Sequence, residues 1–193
     1  MCVIRRFLYF GMGGTGSMSP LMVPGLLYLS AARYKNTLWL YGETEGVDLV
    51  PEQFIKGKTT PFPDGRSWIK VPQIFYYNLP KEGAKWRRTV SSRPKFQIAR
   101  LREDGVAPYV FYHYQLQEEE RIRKSKYALI GLLGTLLVYY DENPPTPGET
   151  RRGSLDTANT PERNWSQQMS GYFETGWQPT ELLFRRDVMW EQN

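Results

Sequence analysis

Tyr127-Ala-Leu-Ile-Gly-Leu-Leu-Gly-Thr-Leu-Leu-Val-Tyr-Tyr140 is an uncharged apolar run bounded by Lys126 and Asp141. It also separates two electrically different halves. Up to Lys126 there are 20 Lys+Arg against 11 Asp+Glu, and from Tyr127 onward 5 against 9, with no lysine beyond Lys126. A short apolar segment with a basic and an acidic flank has the form of a single membrane crossing with a fixed orientation.

Length argues against a crossing, because a spanning helix needs about 20 apolar residues. Three features argue for it. Tyr127 at one end and Tyr139 and Tyr140 at the other suit a membrane interface, with Lys124 and Lys126 able to snorkel outward. Ala128, Gly131 and Thr135 fall on one helical face at spacings of three and four, a small-residue surface for packing another helix. The end charges also oppose a soluble helix dipole, since Arg123, Lys124 and Lys126 precede the run and Asp141-Glu142 follow it. The alternative is a pair of strands, Tyr127–Leu132 and Thr135–Tyr140, turning at Leu133-Gly134 within a soluble α+β domain.

Working outward, Pro108 can open a helix, and no proline or glycine follows it until Gly131. Glu119 with Arg123, and Glu120 with Lys124, add acid-first pairs four apart. The reading is one helix from about Tyr109 to Tyr140, ended by Pro144-Pro145 and roughly 48 Å long at about 1.5 Å per residue. Val3–Phe10 and Thr37–Tyr41 read as strands. Leu21–Leu29 is apolar but holds Pro24-Gly25, and Pro51–Pro80 is broken by Pro61, Pro63 and Pro72 into extended pieces. Near the C-terminus, Thr160-Pro161-Glu162 opens a helix on which Trp165, Met169 and Tyr172 share a face, and Leu182–Trp190 suggests a last short helix. No internal repeat is evident in the sequence. The expected fold is mainly α with extended irregular segments and one long helix that includes the span. Residues 1–107 form a basic N-terminal region, 108–143 the helix with 127–140 in the membrane, and 144–193 an acidic tail.

Composition narrows the chemistry. One cysteine, Cys2, excludes an internal disulfide and cysteine-based metal sites, and one histidine, His113, excludes histidine-rich metal centres. Both read as structural or surface residues. Gly11-Met-Gly-Gly-Thr-Gly16 matches the dinucleotide pattern GxGxxG, but Pro24-Gly25 interrupts the helix it needs and the first acid is Glu43. Tyr77-x-x-x-Lys81 is broken by Pro80. No catalytic, cofactor-binding or metal-ligating set is expected. Lys81–Arg102, basic with interleaved aromatics, suits acidic partners or phospholipid head groups better than RNA.

The first 42 residues carry no acid but include Arg5, Arg6, Arg33 and Lys35, as mitochondrial targeting segments do. With the extended Pro/aromatic segments, the charged helix entering Tyr127–Tyr140 and the acidic tail, the layout resembles the single-span supernumerary subunits of mitochondrial respiratory-chain complexes. That resemblance implies a non-catalytic accessory role in assembly and stability at the mitochondrial inner membrane, with the N-terminal side in the matrix. Its partners would be other subunits and phospholipid, with no cofactor, nucleic acid or small-molecule substrate. The alternatives are a mitochondrial ribosome-associated protein and a soluble nucleotide-binding α+β enzyme.

Overall fold

The computed structural model describes residues 3–13, 17–81, 83–89, 91–119, 121–122, 125–149, 151–155 and 164–188. Along the chain run β1 (Ile4–Met12), β2 (Ser19–Pro20), β3 (Leu26–Tyr34), β4 (Thr37–Glu45), α1 (Pro51–Phe54), β5 (Ile55–Lys56) and β6 (Ile69–Lys70). There follow β7 (Gln73–Tyr76), α2 (Gly83–Trp86), β8 (Arg93–Leu101), α3 (Val106–Glu119), β9 (Arg121–Ile122), β10 (Leu129–Leu133) and β11 (Leu136–Asn143). The last elements are β12 (Arg151–Arg152), α4 (Trp165–Ser170), β13 (Phe173–Pro179) and β14 (Glu181–Asp187). Strands dominate, and the α+β alternative describes this better than a mainly α chain.

The decisive run is a hairpin. β10 and β11 pair antiparallel, Leu129 opposite Tyr140 through Leu133 opposite Leu136, around a two-residue turn at Gly134-Thr135. Gly134 has φ +59°, where a side chain costs conformational energy, so glycine fits that turn. The run lacks apolar/polar alternation because the hairpin is buried on both faces. Ile130 and Leu137 join a core with Tyr109, Leu116 and Met169, while Leu129, Val138 and Tyr140 on the opposite face are also buried. A doubly buried strand reads as a continuous apolar segment, much as a membrane helix does.

The long helix and span therefore do not form. α3 ends at Glu119, and among the described residues no helix is long and apolar enough to cross a membrane. The single-pass inner-membrane placement, with its transmembrane and membrane-complex reading, is overturned on that point. The acids that suggested an orientation have local partners, since Tyr139 donates to Asp141 and Tyr140 to Glu142, both at 2.8 Å. Glu120, Arg123 and Lys124, which completed the expected helix pairs and one interface anchor, lie outside the described residues, as does Thr160-Pro161-Glu162. At the far end, Leu182–Asp187 belongs to a strand rather than a helix.

Two compact units divide the chain. The first comprises residues 1–71, 80–94 and 180–193, the second 72–79 and 95–179. In the first, a five-stranded sheet has the order β14-β3-β4-β1-β6, its described pairings antiparallel. One face packs Phe7, Leu29, Leu38 and Leu40 against Phe54 and Trp68.

The second unit has a five-stranded sheet in the order β13-β8-β11-β10-β7. Leu101 N–H donates to the Thr135 carbonyl at 2.9 Å, and Phe96 lies 5.0 Å from Tyr140, so β8 and β11 run in opposite directions. The succession β8-α3-β10-β11-α4-β13, with β11 between β8 and β10, is a split β-α-β arrangement. Its core joins Tyr109 and Leu116 of α3 to Phe75, Ile130, Leu137 and Met169.

The two sheets share one plan. Each has a central hairpin (β3–β4 or β10–β11), the preceding long strand beside the hairpin's second strand, and a further strand at each edge. The correspondence extends to residues. Tyr28, Lys35, Tyr41 and Glu43 recur 99 positions later as Tyr127, Gly134, Tyr140 and Glu142, a repeat too sparse to see without the strands. Lys35 and Gly134 both hold positive φ at the hairpin turn, +52° and +59°. In both copies the tyrosine donates to the glutamate two residues on, at 2.5 Å from Tyr41 and 2.8 Å from Tyr140.

Candidate functional site

The candidate site is a cavity of about 460 Å³ contained in the second unit. That is within the usual range for a small-molecule site. α3 builds its inner wall. Tyr109, His113 and Leu116, at spacings of four and three, turn toward the sheet and are buried, while Phe111 and Tyr114 face out. Tyr109 and His113 line the cavity together with Ile130 of β10 and Tyr139 of β11. α4 contributes Trp165 and Met169, and β13 contributes Phe173 and Trp177. Ser166, Ser170 and Gly176, all exposed, mark the solvent side.

Aromatic rings dominate the lining and order one another. His113 lies 4.1 Å from the Tyr109 ring, tilted 32°, and meets Phe75 and Trp165 edge-on at 5.2 and 5.0 Å. Trp177 lies 5.8 Å from Phe173 and 6.0 Å from Tyr139. Rings at such spacings hold each other by offset and edge contacts, which leaves a preshaped apolar slot.

Several polar groups line the cavity, and those of His113, Tyr139 and Ser170 are committed to protein partners. His113, 4% exposed, has its Nδ1 2.9 Å from the Tyr109 carbonyl oxygen. A carbonyl only accepts, so Nδ1 carries the proton and donates. Burial pushes the imidazole down from 6.5 to about 4, partly offset by that hydrogen bond, so it is neutral near pH 7. Burial likewise raises the Tyr109 hydroxyl well above its usual 10. Tyr139 is raised first by burial and then by the Asp141 carboxylate to which it donates. Ser170 donates to the Gln167 carbonyl at 2.8 Å, and the Gln97 amide supplies both a donor and an acceptor. Among the described residues, no Asp or Glu lines the cavity.

A second polar centre lies in the first unit. Arg88 donates to both oxygens of Glu43 and stacks 3.5 Å over Tyr28, with Asp187 3.7 Å from its Nε. Asp187 also lies 3.7 Å from Arg185 Nη2, so two cations meet two anions, as in a structural ion cluster.

The residues singled out in the sequence fall elsewhere. Ala128, Gly131 and Thr135 lie along the hairpin, where strand geometry does not place them on one packing face. Thr135 accepts from Arg100 Nη1 at 3.0 Å. Lys126 is half-buried and its N–H donates to the Thr146 carbonyl. Tyr127 and Tyr140 are fully buried, so neither sits at an interface. Among the described members of that set, Tyr139 alone lines the cavity. The glycine pattern also fails its context: Gly11 and Met12 end β1, Gly13 N–H bonds to Asn36, and the next described element is the short strand β2 rather than a helix. His113 went unrecognised as a site residue, although its i, i+4, i+7 stripe with Tyr109 and Leu116 was visible. Trp165 and Met169 share a face of α4, whereas Tyr172, expected on the same helix, lies beyond its end at Ser170.

No family model matches the sequence, and no curated protein matches it. A solved structure described as a crystal structure study of an anthrone oxidase-like protein aligns with 96% of this chain and 93% of its own, at TM-score 0.36 and 8% identity. Likeness at that level carries no argument about this protein's fold or activity.

Proposed function

We propose that the second unit binds a small, largely apolar, ring-shaped molecule in the cavity between α3, α4 and the sheet. The observation that carries this reading is the lining itself. Tyr109, Tyr139, Trp165, Phe173 and Trp177 enclose about 460 Å³ around one neutral histidine. Flat rings gain contact area and edge or face interactions there without desolvating a charge. This departs from the expectation of no small-molecule ligand. The accessory-subunit resemblance relied on Tyr127–Tyr140 as a membrane span, and that segment is a hairpin.

Isothermal titration calorimetry with naphthalene-sized probes tests the reading. Binding in the micromolar range, weakened at least tenfold by Trp177→Ala, is expected. Absence of heat and of any thermal shift with every ring probe would refute it.

A further inference from the structure

Resting on that binding reading, we infer that the cavity selects an uncharged ring compound bearing a hydroxyl or N–H donor, over its ether or carboxylate counterpart. The argument follows the protons. His113 Nδ1–H is spent on the Tyr109 carbonyl at 2.9 Å, which leaves Nε2 as a bare acceptor on a residue lining the cavity. Tyr139 spends its hydroxyl proton on Asp141 at 2.8 Å, so its oxygen offers lone pairs. Ser170 spends its proton on the Gln167 carbonyl at 2.8 Å and is likewise an acceptor toward the solvent side. Three elements, α3, β11 and α4, thus present acceptors.

Of the remaining polar groups, the Gln97 amide and the Tyr77, Tyr109 and Ser166 hydroxyls can each serve as donor or acceptor, and the Trp165 and Trp177 indole N–H groups only donate, so the selection rests on satisfying His113 Nε2. A ligand that only accepts would set its lone pairs against those of His113 and Tyr139. An anion would enter an aromatic cavity in which the imidazole is neutral and, among the described residues, no lysine or arginine lines the wall. A donor satisfies a buried acceptor that an ether leaves unpaired, and such an omission weakens binding by about tenfold or more.

The experiment compares naphthalene, 1-naphthol, 1-methoxynaphthalene and 1-naphthoate by calorimetry on the full chain at pH 7. The expected order puts 1-naphthol about tenfold or more tighter than 1-methoxynaphthalene, with 1-naphthoate weakest. His113→Phe should remove most of that preference while naphthalene still binds, and His113→Gln, which keeps an acceptor, should restore part of it. Equal affinity for 1-naphthol and 1-methoxynaphthalene, or tighter 1-naphthoate, overturns the inference and leaves the binding reading standing. No binding by any of the four overturns both. Should His113→Phe fail to fold, the comparison of naphthol with methoxynaphthalene on the unaltered protein still decides, and Tyr139→Phe gives the second variant.

Discussion

Arg88 grips Glu43 with two parallel hydrogen bonds, 3.1 Å from Nη1 to Oε2 and 3.0 Å from Nη2 to Oε1, where both side chains are almost wholly buried. Removing one partner leaves an uncompensated charge in the core of the first unit. Arg88→Met is therefore expected to cost about 3–5 kcal/mol, and Arg88→Met with Glu43→Leu to recover much of it. Urea unfolding of the two variants checks this, and a single-variant loss below about 1 kcal/mol would contradict the burial.

His113, the one histidine in the chain, gives stability a pH signature. Its folded pKa, about 4, lies below its ordinary 6.5. Above pH 6.5 both states are neutral and it contributes no slope. Between 6.5 and 4 the unfolded chain takes up a proton that the folded chain refuses, so stability falls with pH. The total is about 3 kcal/mol for a shift of this size. Unfolding midpoints measured from pH 7.5 to 4.5 should fall more steeply for the wild type than for His113→Gln, and parallel curves would count against a buried neutral imidazole.

The two hairpin turns respond oppositely to substitution. Lys35 holds φ +52° with a side chain, whereas Gly134 holds +59° without one. Nothing lies within 4 Å of a Cβ placed on Gly134, so the effect there is conformational. Lys35→Gly should stabilise by up to about 1 kcal/mol and Gly134→Ala should destabilise by about 1 kcal/mol. Thermal melts of the two variants settle the signs.

Leu137, fully buried on the core-facing side of β11, reports on the hairpin. Leu137→Ala should cost about 2–5 kcal/mol. Tyr114→Ala, on the exposed side of α3, should stay within about 0.5 kcal/mol of the wild type. A reversed ranking in denaturant titrations would place the segment outside a packed core.

Local patterns with one reading were legible. Val3–Phe10 and Thr37–Tyr41 announced β1 and β4 through apolar and aromatic density, and Pro108 stood near the true start of α3. Trp165 and Met169 pointed to α4, although Tyr172, grouped with them, falls past its end. The sequence also held the strand-pair alternative for Tyr127–Tyr140, misplacing its turn by one residue, at Leu133-Gly134 instead of Gly134-Thr135. What misled was physical. A hairpin buried on both faces has no period of two, and its terminal acids looked like orientation signals while they in fact accept from Tyr139 and Tyr140.

By itself, then, the sequence determined which segments are apolar enough to bury, where turns are allowed, and that cysteine and histidine-rich metal chemistry is out of reach. Which faces those segments bury against was decided only by the tertiary structure, because residues distant along the chain supply the other side. Tyr77, His113, Tyr139, Trp165 and Trp177 converge on one cavity through the pairing of five strands and the return of two helices. The 99-residue recurrence of Tyr28 and Glu43 as Tyr127 and Glu142 likewise acquires meaning once both hairpins are in register. Long-range pairing sets register and side-chain direction, and no local propensity encodes either.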